Sequence, residues 1–474
     1  MKKLLWCVLL LSALFLCLTS CNQESEETER CNHILTEVKE IKTATCTEEG
    51  KTRGRCTVCR KFIYGSIPKI PHEVTVSAAQ KATCVTDGLG EGKSCAMCGK
   101  VFKYREVTPA TGHAVTKGKD ACVICNATPS EGLAYALSAD GAYYTVKGMG
   151  TCQDTDLWIP TTYNGIPVKE IDIYAFRGCE TLQSVVIPTS IVNIQTSAFQ
   201  DCTELKTLII GKRSSLRSIG SYAFSNTDIT GCRIPYGVRF LGENAFRECH
   251  SLLSVEFGKM SGLQRISDYA FYGCENLWKV TLHDYLKSIG EYAFSNCQAL
   301  SDIAFPKKLT VIEACAFMNC DGLEKLVISG KIERVGENAF KDCDGLLSVT
   351  VSNGVKSLGG SAFRECQNLK NVKIAGSVKI IRGGTFAGCK NLEKVILKRG
   401  VEKIEKYAFL GCGKVIALGL PRSIKTIEGY AFSKCGVMTV HYGGGKWMWD
   451  MIDIDQGTKT EFPYAEFKYN SRLR

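Results

Sequence analysis

Between residue 31 and about residue 130, histidine and cysteine recur in a fixed order. His33 is followed by Cys46 and Cys56-x-x-Cys59, His72 by Cys84 and Cys95-x-x-Cys98, and His113 by Cys122-x-x-Cys125. Thiolate sulfur and imidazole nitrogen are the donors that structural zinc takes in a closed tetrahedron, and one Cys-x-x-Cys turn supplies two of the four. Read in phase with the sequence, His33, Cys46, Cys56 and Cys59 make one complete set, and His72, Cys84, Cys95 and Cys98 a second. The third set lacks its middle cysteine, which Cys31 or a residue from elsewhere would have to supply. Zinc would staple stretches such as Thr43 to Ile70, which carry no long apolar run. Disulfides are the competing reading, since an exported chain meets oxidising conditions, and free thiols are the third. A catalytic zinc is not expected, because each complete set offers a fourth protein ligand and no His-Glu-x-x-His occurs.

Lys2 and Lys3 followed by the apolar run Leu4 to Leu18 have the layout of an export signal, too short to span a bilayer comfortably. The run ends Leu18-Thr19-Ser20-Cys21, which resembles the lipobox of bacterial lipoproteins. That resemblance implies cleavage of residues 1–20, a lipid anchor on Cys21 and attachment to a bacterial membrane, with 21–30 as a polar tether. The formal net charge of +11 is modest for 474 residues, and Lys and Arg are scattered rather than clustered. A nucleic-acid partner is therefore not expected.

The elements that follow are repeats. Ala-Phe, once Thr-Phe, recurs with its Phe at 176, 199, 224, 246, 271, 294, 317, 340, 363, 386, 409 and 432, the last seven intervals all being 23 residues. An aliphatic residue stands five before each Phe, as in Ile219, Ile289 and Leu358, and another eight before. Three after the Phe comes Cys in all but one unit, from Cys179 to Cys435, and then Leu-x-x-Val-x-Ile or a variant. A unit this short cannot bury its own apolar side chains, so units must stack, and the β-branched stretch suits a strand. The Cys reads as a small buried residue closing the turn between a helical segment and the strand, in a reduced ladder. The third unit departs, with Asn226 and Thr227 after Phe224 and Cys232 in a strand position. Extra loop residues occur at 212–215 and 259–262.

Ile289-Gly290-Glu291-Tyr292-Ala293-Phe294-Ser295-Asn296-Cys297 is similar to the leucine-rich repeats of the BspA-like family. The resemblance implies an α/β repeat solenoid, right-handed, with one continuous parallel sheet of about twelve strands. The expected layout is a Cys/His-rich module over 31–130, an N-terminal cap over 131–170, the solenoid over 171–440 and a C-terminal cap over 441–474. It also implies a surface role, adhesion to host matrix proteins or to other bacteria, and no catalysis. A structural envelope protein and an exported enzyme inhibitor on a repeat scaffold are the alternatives. The expected binding surface is the outward side of the strands, where side chains alternate with the buried Val and Ile. Trp278, Lys279, Thr281, Lys325, Lys373 and Lys394 are its candidate contacts, with Trp278 as the aromatic anchor.

Overall fold

The computed structural model describes residues 34–114, 121–211, 213–259, 261–455 and 465–473. The export segment 1–20, Cys21 with the tether 21–30, and Cys31, His33, Lys212 and Met260 lie outside the described residues. No helix of the described residues is long and apolar enough to cross a membrane.

The chain divides into two compact units. One holds the residues up to Thr75 together with Ser94–Val101. It carries an antiparallel meander of Leu35–Lys42, Gly50–Cys56 and Phe62–Ile67. The other holds Val76–Lys93 and everything from Phe102 onward. The division therefore does not fall near residue 130, where the composition changes.

The second unit is built from the repeats, each supplying a strand of up to four residues and, on another side of the turn, a two-residue strand. Ser348–Val351 shows the pattern, with Val349 and Val351 buried and Ser348 and Thr350 partly exposed. Consecutive strands pair in parallel, Val349 opposite Val372 and Val351 opposite Ile374. Hydrogen bonding groups this strand face into three ladders. The first runs Asp156–Trp158, Ser184–Ile187 and Thr207–Ile210; the second Gly231–Ile234, Ser254–Phe257, Lys279–Thr281 and Asp302–Ile303. The third has seven strands, from Lys325–Ile328 to Glu466–Lys468.

Twelve phenylalanines stack inside as one column, neighbouring rings 4.9 to 5.5 Å apart from Phe176 to Phe432. All but Phe432, at 1%, are wholly buried. Beside them the repeat Cys thiols from Cys202 onward donate to the carbonyl of the Phe one turn earlier: Cys320 Sγ to Phe294 O and Cys343 Sγ to Phe317 O, both at 3.1 Å. Burial pushes the Cys320 and Cys343 thiols well above their ordinary pKa, so they remain donors at neutral pH. In the irregular third unit Thr227 takes the Cys position, and its hydroxyl donates to Phe224 O at 2.9 Å within the same turn.

The helical segment expected in each repeat is absent. Among the described residues the helix present is Lys446–Asp450, in the C-terminal region. Left-handed backbone explains this. The residue two before each of these Phe has positive φ, as at Tyr269, Tyr292, Cys315 and Asn338, and so does the residue two after each, as at Asn296, Asn319 and Asp342. A left-handed residue about every four positions forbids an α-helix and bends the chain through consecutive turns.

Both ends of the solenoid are covered. At the start, Ala134–Leu137 runs antiparallel to Tyr144–Gly148, which pairs with Ile166–Ile171. At the other end, Glu466–Lys468 adds to Thr439–Tyr442, and Trp449 packs edge-on against buried Tyr442. Capping in this way removes the open strand edges that invite aggregation.

Candidate metal centres and binding face

Three Cys-x-x-Cys turns share one backbone design. The Cys56 N–H bonds to Lys61 O, that of Cys95 to Lys100 O, and that of Cys122 to Ala127 O. The residue after the second Cys turns left-handed in each: Arg60, Gly99 and Asn126. This curls the amides inward, so the Cys59 N–H faces Cys56 Sγ and the Ile124 N–H faces Cys122 Sγ, both at 3.4 Å.

Backbone bonds then decide which ligands meet. Ala96 N–H to Glu73 O sets the 95–98 turn against His72, and Ile70 N–H to Thr45 O draws Cys46 to the same place. In the second unit, Val123 N–H to Ala114 O sets the 122–125 turn against His113, and Gly112 N–H to Cys84 O brings in Cys84. Two groups result: Cys46, His72, Cys95 and Cys98, and Cys84, His113, Cys122 and Cys125. In each group the ligand atoms lie within 4.8 Å of one another and could hold a metal ion.

The grouping differs from the sequence phase. Each set draws its first cysteine from the preceding repeat, so Cys46 joins His72 rather than His33, and Cys84 joins His113 rather than His72. Cys84 is the outside residue that the third set lacked. Cys56 and Cys59 form a third turn outside both groups, and His33, their neighbour in sequence order, lies outside the described residues.

Geometry and charge both fit a cation. Cys46 and Cys95 sulfurs are 3.9 Å apart and those of Cys84 and Cys122 4.0 Å, while His72 and His113 Nδ1 stand 3.5 and 3.3 Å from Cys98 and Cys125. Zinc–sulfur bonds of about 2.3 Å put two sulfurs of a tetrahedron about 3.8 Å apart, whereas a disulfide needs about 2.05 Å. Burial works to raise the Cys95 thiol, but the Cys98 amide, the His72 ring and the Met97 amide outweigh it and hold it at about 6. At Cys122 burial is outweighed in the same way by the Ile124 and Cys125 amides and His113, giving about 5. Burial, with the neighbouring thiols, pushes Cys46 up to about 11. A ready thiolate beside a poor one is the state that a bound dication would even out.

The second group also closes a loop that lies on the strand face. Within it Gly88–Leu89 pairs antiparallel with Val107–Thr108, and the Ala110 N–H donates to Asp87 Oδ1 at 2.7 Å. This hairpin spans several turns. His113 stacks on Trp158 with ring centroids 4.3 Å apart, and Thr230 donates to Asp87 Oδ2 at 2.8 Å. Tyr104 stacks on Trp278 at 5.1 Å and 9°, while Lys279 pairs with Glu106 and Asp302.

The candidate contacts consequently separate. Trp278 is not an exposed anchor: it is 9% exposed beneath Tyr104. Lys279 is held in its ion pairs. Thr281, Lys325 and Lys373 are exposed and Lys394 is half-buried. The sequence reading missed the hairpin because nothing in Tyr104-x-Glu106-Val107 distinguishes a docked strand from a solvated one.

Residues 169–444 match the family model of the BspA type leucine-rich repeat region in six copies, over 169–264, 217–347, 264–392 and 333–444. Several solved structures are similar to the chain. A leucine-rich repeat protein from Bacteroides ovatus is 24% identical over 72% of this chain and 98% of its own, with a TM-score of 0.48. A leucine-rich cell surface protein from Faecalibacterium prausnitzii is 26% identical over 70% and 99%, with a TM-score of 0.42. The pneumococcal vaccine antigen PcpA is 19% identical over 73% and 97%, with a TM-score of 0.38. No curated protein matches the chain.

Proposed function

Because the chain belongs to the BspA type leucine-rich repeat family, whose model covers more than half of it, we propose that it is an exported, lipid-anchored surface protein that holds protein partners and catalyses no reaction. The observation that carries this reading is the seven-strand ladder from Lys325 to Lys468, a rigid parallel sheet with Lys325, Val327 and Lys373 pointing outward. A pre-ordered face loses little conformational freedom on binding, which favours a large partner over a small ligand. Host matrix proteins and other bacteria are the partner classes. The contacts are Lys325, Lys373 and Lys394, with Thr281 at the margin, and Trp278 and Lys279 serve the hairpin instead. Zinc is the metal that the two Cys3His groups would hold, as a structural staple made of thiolates and imidazole. Cys21 carries the lipid.

The test uses the chain on beads with purified matrix proteins and intact bacterial cells as probes. The variant with both Lys373→Glu and Lys394→Glu should retain at most about a tenth of the binding, a loss on the order of 1.4 kcal/mol. Undiminished binding by a folded variant would place the contact elsewhere. Cys21→Ala should abolish both labelled-palmitate uptake and membrane association.

A further inference from the structure

The strand face is interrupted twice, and the two interruptions are treated differently. Between Thr207–Ile210 and Gly231–Ile234 the ladder ends and restarts, and the hairpin lies over the gap. Its extended strand Val107–Thr108 brings Val107 onto Gly231, where a Cβ would come within 2.8 Å of Val107 Cγ1, and Asp87 fixes the neighbouring Thr230. This interruption keeps its rung, Thr230 N–H to Lys206 O at 3.0 Å, and is covered by an extended segment of the chain itself, carrying a β-branched side chain.

The second lies between Asp302–Ile303 and Lys325–Ile328. Ser301 and Asp302 donate their N–H groups back to Trp278 O, and Leu347 donates to Glu324 O. Among the described residues the equivalent rung from Glu324 to Ser301 is missing, and no pairing joins Ile303 to Leu326. The same two turns stay closed elsewhere: Gly322 N–H bonds to Gln298 O at 2.7 Å, and Val311–Ile312 pairs with Arg334–Val335. The solenoid is opened on the strand face alone. The opening is a groove of about 690 Å³ lined by Ile303, Ala304, Phe305, Leu326 and Val327, with Tyr104 at its rim. Ile303 and Phe305 are only partly buried, and Val327 is 62% exposed.

We propose that this groove binds an extended peptide segment of a partner protein. The segment pairs its main chain with the edge of Lys325–Ile328 and seats a β-branched or aliphatic side chain between Ile303, Phe305 and Leu326. Main-chain groups at a strand edge are satisfied by another strand, and the apolar floor selects alternate side chains. The hairpin supplies the side-chain precedent for the occupant: Val107, extended and β-branched, packs on the strand face at Gly231, while its main chain pairs with Gly88–Leu89. The proposal rests on the reading of the chain as a protein-binding scaffold and names where the partner enters.

The probe is a fluorescein-labelled peptide with the sequence of the chain's own rung 347–352, Leu-Ser-Val-Thr-Val-Ser, titrated into the full chain and followed by anisotropy. Saturable binding is expected. Ala304→Trp, which fills the groove from an exposed position, should weaken it at least about tenfold. Thr350→Trp, one rung away on the same face, should leave it unchanged. Melting curves of both variants show whether the fold is kept. Absence of saturable binding, or equal binding by Ala304→Trp, overturns the proposal. If the peptide fails while Lys373→Glu with Lys394→Glu still costs partner capture, the groove is wrong and the scaffold reading stands.

Discussion

At the residue scale the chemistry is carried by cysteine in two environments. The repeat thiols are buried donors to phenylalanine carbonyls, as Cys320 is to Phe294. The module thiols face backbone amides and imidazole, which favours thiolate at Cys95 and Cys122. Iodoacetamide should therefore spare Cys297, Cys320 and Cys343 in the native protein and label them only after unfolding. Metal content tests the ligand phase directly. If each of the two groups holds one metal ion, His113→Ala should lower the metal content by one, because His113 completes the group of Cys84, Cys122 and Cys125. If zinc content were unaffected by His113→Ala yet fell with a change at Cys56, the ligand sets would follow sequence order instead.

The element that matters most is the turn. Each turn is fixed by a stacked Phe and left-handed residues flanking the ring, and all but the first and third also by a thiol bond to the turn before. Phe317 is wholly buried between Phe294 and Phe340. Phe317→Ala should cost about 3–5 kcal/mol in denaturant unfolding, since the column on either side cannot collapse into the space. Asn319 holds φ of 59°. Asn319→Val should cost about 1–2 kcal/mol from left-handed strain, and Asn319→Gly should be close to neutral.

On the scale of the whole molecule the hairpin divides the strand face into a covered part and an open part. The Cys84, His113, Cys122 and Cys125 group closes the loop that carries Asp87, Tyr104 and Val107 to the solenoid. If that group holds a metal ion, a strong chelator should loosen the loop and make Trp158 and Trp278 more accessible to iodide quenching. Tyr104→Ala should do the same at Trp278 without changing metal content. Quenching that stays unchanged in both cases would mean that the hairpin holds its place without the metal.

Sequence alone determined the repeat, its register and its core. A period of 23 residues with Ile, Ala, Phe, Cys and Leu at fixed offsets permits little besides stacked turns, because those side chains have no other place to be buried. Two features were decided only in three dimensions. A periodic run of His, Cys and Cys-x-x-Cys states its spacing but not its phase, and the bonds of Thr45 with Ile70 and of Cys84 with Gly112 chose the ligand sets. Trp278 was marked as an anchor by its type and strand position, but Tyr104, distant in sequence, came to lie over it. The pattern within a repeat shows which side chains point inward. It cannot show which outward ones the rest of the chain will cover, since that depends on contacts between segments that share no repeat.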